Sequence, residues 1–224
     1  MYRDWYTAPL IELEEHNPAW AGEFLIAKTS LENLLQGLPI ISIEHVGSTS
    51  IPDLVSKPIL DIDIVINKDD FVPILDKMRE GGYTYIGECG MPGRHSFFQP
   101  NSDKTDGEPM GSWDDEVIGA DGVKKLVRIY ERRRNTYVCI EGSLSLRNHR
   151  DLKRILMEDA ELKKEYGDRK KELVDDHQLR ATDDDRLAYN VGKNEVVAKI
   201  LKKAGWTDKE LNIVCKGRGG FYGR

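Results

Sequence analysis

The spacing of apolar residues changes character twice along the chain. Trp20, Phe24, Leu25, Leu31, Leu34 and Leu35 recur near helical spacing, behind Asn17 as N-cap and Pro18 at the first helical position, and ahead of Gly37 and Pro39 as a stop. The period then shortens. "IISIEHV" reads as a strand, and after a proline-bearing loop "ILDIDIVI" alternates strictly as a second one. Asp69 and Asp70 are expected to cap a helix from Phe71 to about Glu80, ended by Gly81 and Gly82. Strands are expected from Tyr83 to about Ile140, with "LVRIYERRRNTYVCIEG" the clearest strand or pair of strands. A Gly/Asp/Pro-rich stretch between Gln99 and Gly122 reads as a long loop or loose hairpin. Beyond Leu146 the helical period returns on Leu152, Ile155 and Leu156, on Leu162, Tyr166 and Leu173, and on Tyr189, Val196, Val197, Ile200 and Leu201. The tail "KGRGGFYGR" reads as a frayed end. The order predicts an α+β (α/β-like) fold: a mixed β-sheet core flanked by helices over 1–146, with a helical C-terminal region over 147–224 packed on it as one structural unit.

The second strand carries an unexpected pair. Residues i and i+2 share a strand face, so Asp61 and Asp63 point one way while Leu60, Ile62, Ile64 and Ile66 point to the core. Aspartate is poorly suited to strands, and two carboxylates side by side repel unless water or a cation relieves them. Two readings stay open: the wet face of an amphipathic strand, or a site for a hard divalent cation such as magnesium, which takes carboxylates, waters and substrate phosphates as ligands. Just upstream, "HVGSTS" presents Gly47 and Ser48 where a backbone amide and a small hydroxyl can approach a phosphate, though such a pair also makes ordinary turns.

Composition narrows the class. Of 224 residues, 39% are hydrophobic and 32% charged, as in a globular protein with a heavily charged surface. The net charge of −6 argues against long nucleic acids as partners. Lys124, Lys125, Arg128 and the run Arg132, Arg133, Arg134 form a local basic stretch that reads as a solvated strand and turn. Cys89, Cys139 and Cys215 are odd in number and widely spaced, without a CxxC pair, so they are expected to be reduced core or surface thiols. The start "MYRDWYTAPL" lacks a basic and then apolar leader and no run is long enough to span a membrane, so a cytoplasmic, non-membrane protein is expected.

An apolar residue, Gly and Ser, then after a gap an acid, an apolar residue and a second acid resembles the signature of the nucleotidyltransferase superfamily, here Val46, Gly47, Ser48, then Asp61, Ile62, Asp63. More narrowly, "EHVGSTSIPDLVSKPILDIDIVI" resembles the GrpB family. The likeness extends through the Trp20 and Phe24 helix, "GGYTYIG", Pro92 to Arg94, "YVCIEGSLSLRNHRDLKRIL", "EYGDRKKEL" and the Tyr189 and Lys193 helix. It departs at Asn135, Thr136, Tyr137 and Val138, where many members carry a His-Leu-His-Val-like strand, so a role for histidines there does not transfer.

The resemblance implies a transferase that moves a nucleotidyl group from a nucleoside triphosphate, ATP first among them, to a small-molecule or protein acceptor. Asp61 and Asp63 would hold Mg2+ or Mn2+, while Gly47, Ser48 and Thr49 would cradle phosphates; local turn bonding is the alternative for these three. Superfamily enzymes add a third carboxylate from a later strand, for which Glu141 is the candidate, against an ordinary exposed strand-end glutamate. Lys57 and Arg94 suit phosphate, against solvation or an ion pair. His45 shares a face with Ile41 and Ile43 and is expected in or near the core as a supporting group, and His149 at a helix start reads as a surface or cap residue. Tyr189 and Lys193, i and i+4, present one helix face to the nucleotide or to nothing in particular. The competing class is a non-catalytic nucleotide- or metal-binding module. Relatives fused to dephospho-CoA kinase domains suggest a link to coenzyme A metabolism, but the chain has no GxxxxGK[ST] loop for that kinase chemistry.

Overall fold

The structure is a computed structural model that describes residues 10–100, 111–118, 122–177, 179–180 and 182–219. Helix α1 (Ala19–Leu34) starts as its sequence suggests, with the Asn17 carboxamide oxygen accepting the Ala19 amide at 3.0 Å. Trp20, Ala27 and Leu31 are buried, whereas Leu25 turns out to be exposed because it lies on the opposite side of the helix. Strand β1 (Ser42–Val46), a 3-10 turn (Ser48–Ser50) and β2 (Leu60–Ile66) follow. Helix α2 (Phe71–Glu80) forms where expected, but the Asp70 carboxylate accepts from Asn67 Nδ2 at 3.2 Å and makes no capping bond to the helix.

Strands β3 (Thr84–Gly87), β4 (Arg94–Phe98), β5 (Gly111–Ile118), β6 (Lys124–Glu131) and β7 (Arg134–Ile140) complete the β part. Five of them form a mixed sheet in the order β1-β2-β7-β4-β3, and β5 with β6 makes a separate antiparallel ribbon. The glycine-rich excursion is therefore a hairpin in its described portion. Within the main sheet β2 and β7 are parallel and the other pairs antiparallel. The side chains of Lys125 and Arg128 lie outside the described residues. The arginine run is not a solvated turn: Arg132 holds Glu23 at 2.9 Å, and Arg134 is buried against Tyr83 Oη at 2.6 Å and Glu131.

Helices α3 (Leu144–Glu158), α4 (Ala160–His177), α5 (Asp183–Gly192), α6 (Asn194–Lys203) and α7 (Asp208–Gly219) form the C-terminal part. The glycine-bearing tail thus stays helical as far as Gly219, while 220–224 lie outside the described residues. Two cores flank the sheet. Trp20, Leu31, Ile74 and Met78 of α1 and α2 pack on Leu60, Ile62, Ile64, Phe97 and Val138. On the other face Leu146 of α3 packs on Val65 and Cys139, and α3 continues into a helical core with Tyr166, Val197, Ile200 and Trp206. Burying apolar area on both faces of β2 is the main driving force for docking α3 on the sheet. It has a direct consequence for the aspartates: the face that one of the two readings made a wet one lies beneath a helix, and Asp63 is fully buried.

Candidate functional site

Strand register sets the site. Asp61 pairs across the parallel ladder with Asn135 and Asp63 with Tyr137, so side chains of these four share one face. The chain leaves β1 through Gly47, whose φ of 68° lies in the left-handed region. A Cβ at Gly47 would stand 2.8 Å from Cβ and Cγ of Asp61, so glycine is required for the turn to close on that carboxylate. The sequence link between the Gly-Ser turn and the first aspartate is thus a physical contact.

Asp61 is half-buried on the floor of a cleft of about 300 Å³. Asn135 Nδ2 donates to its Oδ1 at 2.8 Å. Burial pushes the Asp61 carboxyl above the usual carboxylate range, opposed by that hydrogen bond and by the neighbouring His149 and Lys57. Among the described residues seven Lys or Arg line this cleft against Asp61 as its one carboxylate. The excess of basic side chains over carboxylates gives the cleft a positively biased lining.

Most candidate residues gather there: Gly47, Ser48, Thr49, Lys57, Asp61, Arg94, Tyr189 and Lys193 all line the cleft. Their hydroxyls and cations differ in role. The Thr49 hydroxyl bonds the Ile59 carbonyl at 3.3 Å and the His45 ring at 3.0 Å inside the fold. Ser48 Oγ instead accepts from Lys170 Nζ at 3.2 Å. The Arg94 guanidinium lies 4.8 Å from the Tyr137 ring centroid, and Lys57 and Lys193 lie 5.3 and 4.0 Å from that of Tyr189. Ser56 Oγ, Gln99 Nε2 and Asn148 Oδ1 line the same cleft, buried and without a hydrogen-bond partner within the protein. Buried polar atoms of that kind call for a bound group or solvent.

Three expected residues are not brought to the cleft. His45 lies on the opposite sheet face, stacked on Phe24 at 4.8 Å, and burial lowers its pKa to about 4, so the ring is neutral. Glu141 follows the end of β7, exposed and 3.1 Å from Arg150, which also grips Glu44. It lies roughly 13 Å along the strand from the level of Tyr137 and Asp63, so it does not join the aspartates. Asp63 itself is covered: His149 Nδ1 reaches its two oxygens at 3.0 and 2.8 Å. His149, expected as a surface or cap group, is held inward because Leu146 and Leu152, three residues either side, place it on the buried stripe of α3. Cys139 sits behind the pair, where burial and the Asp63 charge push its thiol well up.

Lys170 is the residue that motif reasoning missed. It is 1% exposed, donates to the Val55 carbonyl as well as to Ser48, and burial lowers its pKa to about 7. The signal was present: Lys170 falls between Tyr166 and Leu173 on the apolar face of α4, where a lysine is out of place. Asp61 supplies one of the one or two carboxylates that a magnesium site needs. Asp63, hydrogen-bonded on both oxygens, is not presented to the cleft.

The model of the GrpB protein family matches residues 10–203. The UPF0157 protein YqkA of Bacillus subtilis is 29% identical over 217 residues, covering 94% of this chain and 53% of that protein. The chain thus spans about half the length of that relative. A UPF0157 protein of Pseudomonas aeruginosa is 31% identical over 195 residues, 87% of this chain and 67% of that protein. The crystal structure of conserved protein GrpB from Enterococcus faecalis superposes with a TM-score of 0.62 at 22% identity, over 87% of this chain and 100% of that one, which supports the fold. No helix among the described residues is long and apolar enough to cross a membrane.

Proposed function

The chain belongs to the GrpB family, and from that premise we propose that its cleft binds a magnesium-complexed nucleoside triphosphate, ATP first, and transfers the nucleotidyl group to a small-molecule or protein acceptor. The observation that carries this reading is the contact of the Gly47–Ser48 turn with Asp61 on the floor of a strongly cationic cleft. When bound, magnesium supplies neutralisation of phosphate charge and polarises the phosphorus under attack.

The chain's own groups do the rest. Ser48 Oγ and Lys170 Nζ, 3.2 Å apart, form a paired donor site for phosphate oxygens. Arg94, fixed over Tyr137, offers a forked donor from β4, and Lys57 and Lys193 close the other wall around Tyr189. Asp61, kept partly desolvated, offers the carboxylate for the metal. Pyrophosphate would leave among these cations, which stabilise the charge it gains.

One observation favours a second reading. Asn135 stands 2.8 Å from Asp61 on the parallel neighbour, where an amide and not a second carboxylate faces the metal position. A nucleotide-binding module without transfer activity follows from that exchange. Incubation with α-labelled nucleoside triphosphates, Mg2+ or Mn2+ and a metabolite extract separates the cases, with Asp61→Asn as control. Label transfer lost in the variant supports the transferase; metal-dependent binding without transfer supports the module. Absence of both removes the nucleotide reading.

A further inference from the structure

Asp63, Cys139 and His149 form a cluster that the phosphate cleft does not use. Parallel register puts Asp63 level with Tyr137, so Cys139, two residues on, points from the same face. Asp63 and Cys139 are both fully buried, and α3 brings His149 over them. A carboxylate oxygen, a thiol sulfur and an imidazole nitrogen lie within 4.8 Å of one another. Tyr137, 5.5 Å from the imidazole centroid, flanks the ring, and Asp63 fixes its Nδ1 edge at 2.8 Å.

This donor set is not one for magnesium. Sulfur and imidazole select borderline and soft divalent ions, zinc first, and three protein ligands with one open position is the arrangement of reactive zinc sites. We propose that Asp63, Cys139 and His149 bind a zinc-like transition-metal ion behind the cleft. His149 is the member that lines the cleft, so the fourth position falls to water or to a ligand atom entering from that side. Binding exchanges a proton for metal: the Cys139 thiol gives its proton to solvent and coordinates as thiolate, Asp63 enters as carboxylate, and His149 binds through Nδ1 as the neutral imidazole that carries its proton on Nε2. Without metal, His149 holds the carboxylate by hydrogen bonds, which keeps donors in place. The ligands come from β2, β7 and α3, so no sequence spacing announces them.

The site is independent of the nucleotide reading, because Asp61 is not among its donors. Chelator-treated protein is titrated with Co2+, with no nucleotide present, and followed by absorbance. The expected result is one equivalent of Co2+ with intense tetrahedral d–d bands and a thiolate-to-cobalt charge-transfer band, displaced by Zn2+ and untouched by excess Mg2+. Cys139→Ser abolishes the charge-transfer band. Because that core substitution can impair folding, the Cys89→Ser/Cys215→Ser double variant provides the second measurement: it leaves Cys139 as the one thiol and retains the full band. No charge-transfer band in the double variant, or an unchanged band in Cys139→Ser, overturns the proposal. Loss of magnesium–ATP binding would leave it untouched, since neither readout depends on the other.

Discussion

Replacing Lys170 by Met keeps most of the side chain's volume and removes one buried amine. The lysine is 1% exposed and burial lowers its pKa from 10.5 to about 7, which is on the order of 5 kcal/mol against its charged form. The folded pKa lies below the unfolded one, so between about pH 7 and 10.5 the unfolded chain binds more protons than the folded one. Stability therefore rises with pH across that window, and Lys170 alone adds roughly 3 kcal/mol between pH 6 and pH 9. Lys170→Met should flatten that slope and be more stable than the wild type at pH 6, by somewhat less than the full penalty because bonds to Val55 O and Ser48 Oγ are lost. It should also weaken binding of tripolyphosphate or magnesium–ATP by about ten- to a hundredfold, the worth of one charge-assisted hydrogen bond. Urea unfolding at pH 6, 7.5 and 9, with calorimetric binding at each pH, measures both. An unchanged pH slope, or a less stable variant that binds as well as the wild type, would refute the reasoning.

Other changes test the frame around that lysine. Gly47→Ala forces a side chain at φ 68° against Asp61, so a loss of about 2 kcal/mol or more and of nucleotide binding is expected in melts and titrations; an unperturbed Tm would show that the turn has room. Asn135→Asp sets a second acid at the atom now 2.8 Å from Asp61. The metal-free variant should lose about 2 kcal/mol and regain it with Mn2+, so a Mn2+-induced shift in Tm no larger than in the wild type would count against a metal position there. His45 is held at about 4 by burial, with help from Lys153 and His16, against 6.5 unfolded. The unfolded chain takes up the proton first as pH falls through 6.5 to 4, so stability drops across that window by at most about 3 kcal/mol. His45→Gln should show a shallower acid transition by circular dichroism, and an identical one would mean that the ring is not buried neutral.

The elements were legible where periodicity was strong, as in α1, β2 and α2, whose expected and observed spans agree closely. The motif also located the cleft, because the turn and Asp61 touch and the contact demands glycine. What the sequence concealed was tertiary. Nothing local says that α3 lies across the aspartate face, yet that single packing event buries Asp63, turns His149 inward and leaves Glu141 outside with Arg150. Lys170 and His149 did leave a mark, each being a polar residue within an apolar helical stripe. What each polar group meets inside the protein depends on the strand or turn that its helix packs on, which no helical period reports.

The paired aspartates of one strand therefore have two different fates. Their i, i+2 spacing puts both on one face, but only the covering helix decides what each carboxylate meets. Asp61, bonded by Asn135 and not by His149, opens on cations and one amide; Asp63 meets an imidazole and a thiol. The proposed hard-ion position in the cleft and the proposed soft-ion position behind it can share one strand because ligand chemistry, and not charge alone, selects the metal. The overall charge of −6 is compatible with the proposed anion-binding role of the cleft for a related reason. Local field is set by what lines a low-dielectric cleft, and here the basic side chains are concentrated where the acids are nearly absent. Asn135 fits that pattern: as an amide it donates to Asp61 without adding negative charge, which favours holding a polyanion and weakens the case for a full metal constellation.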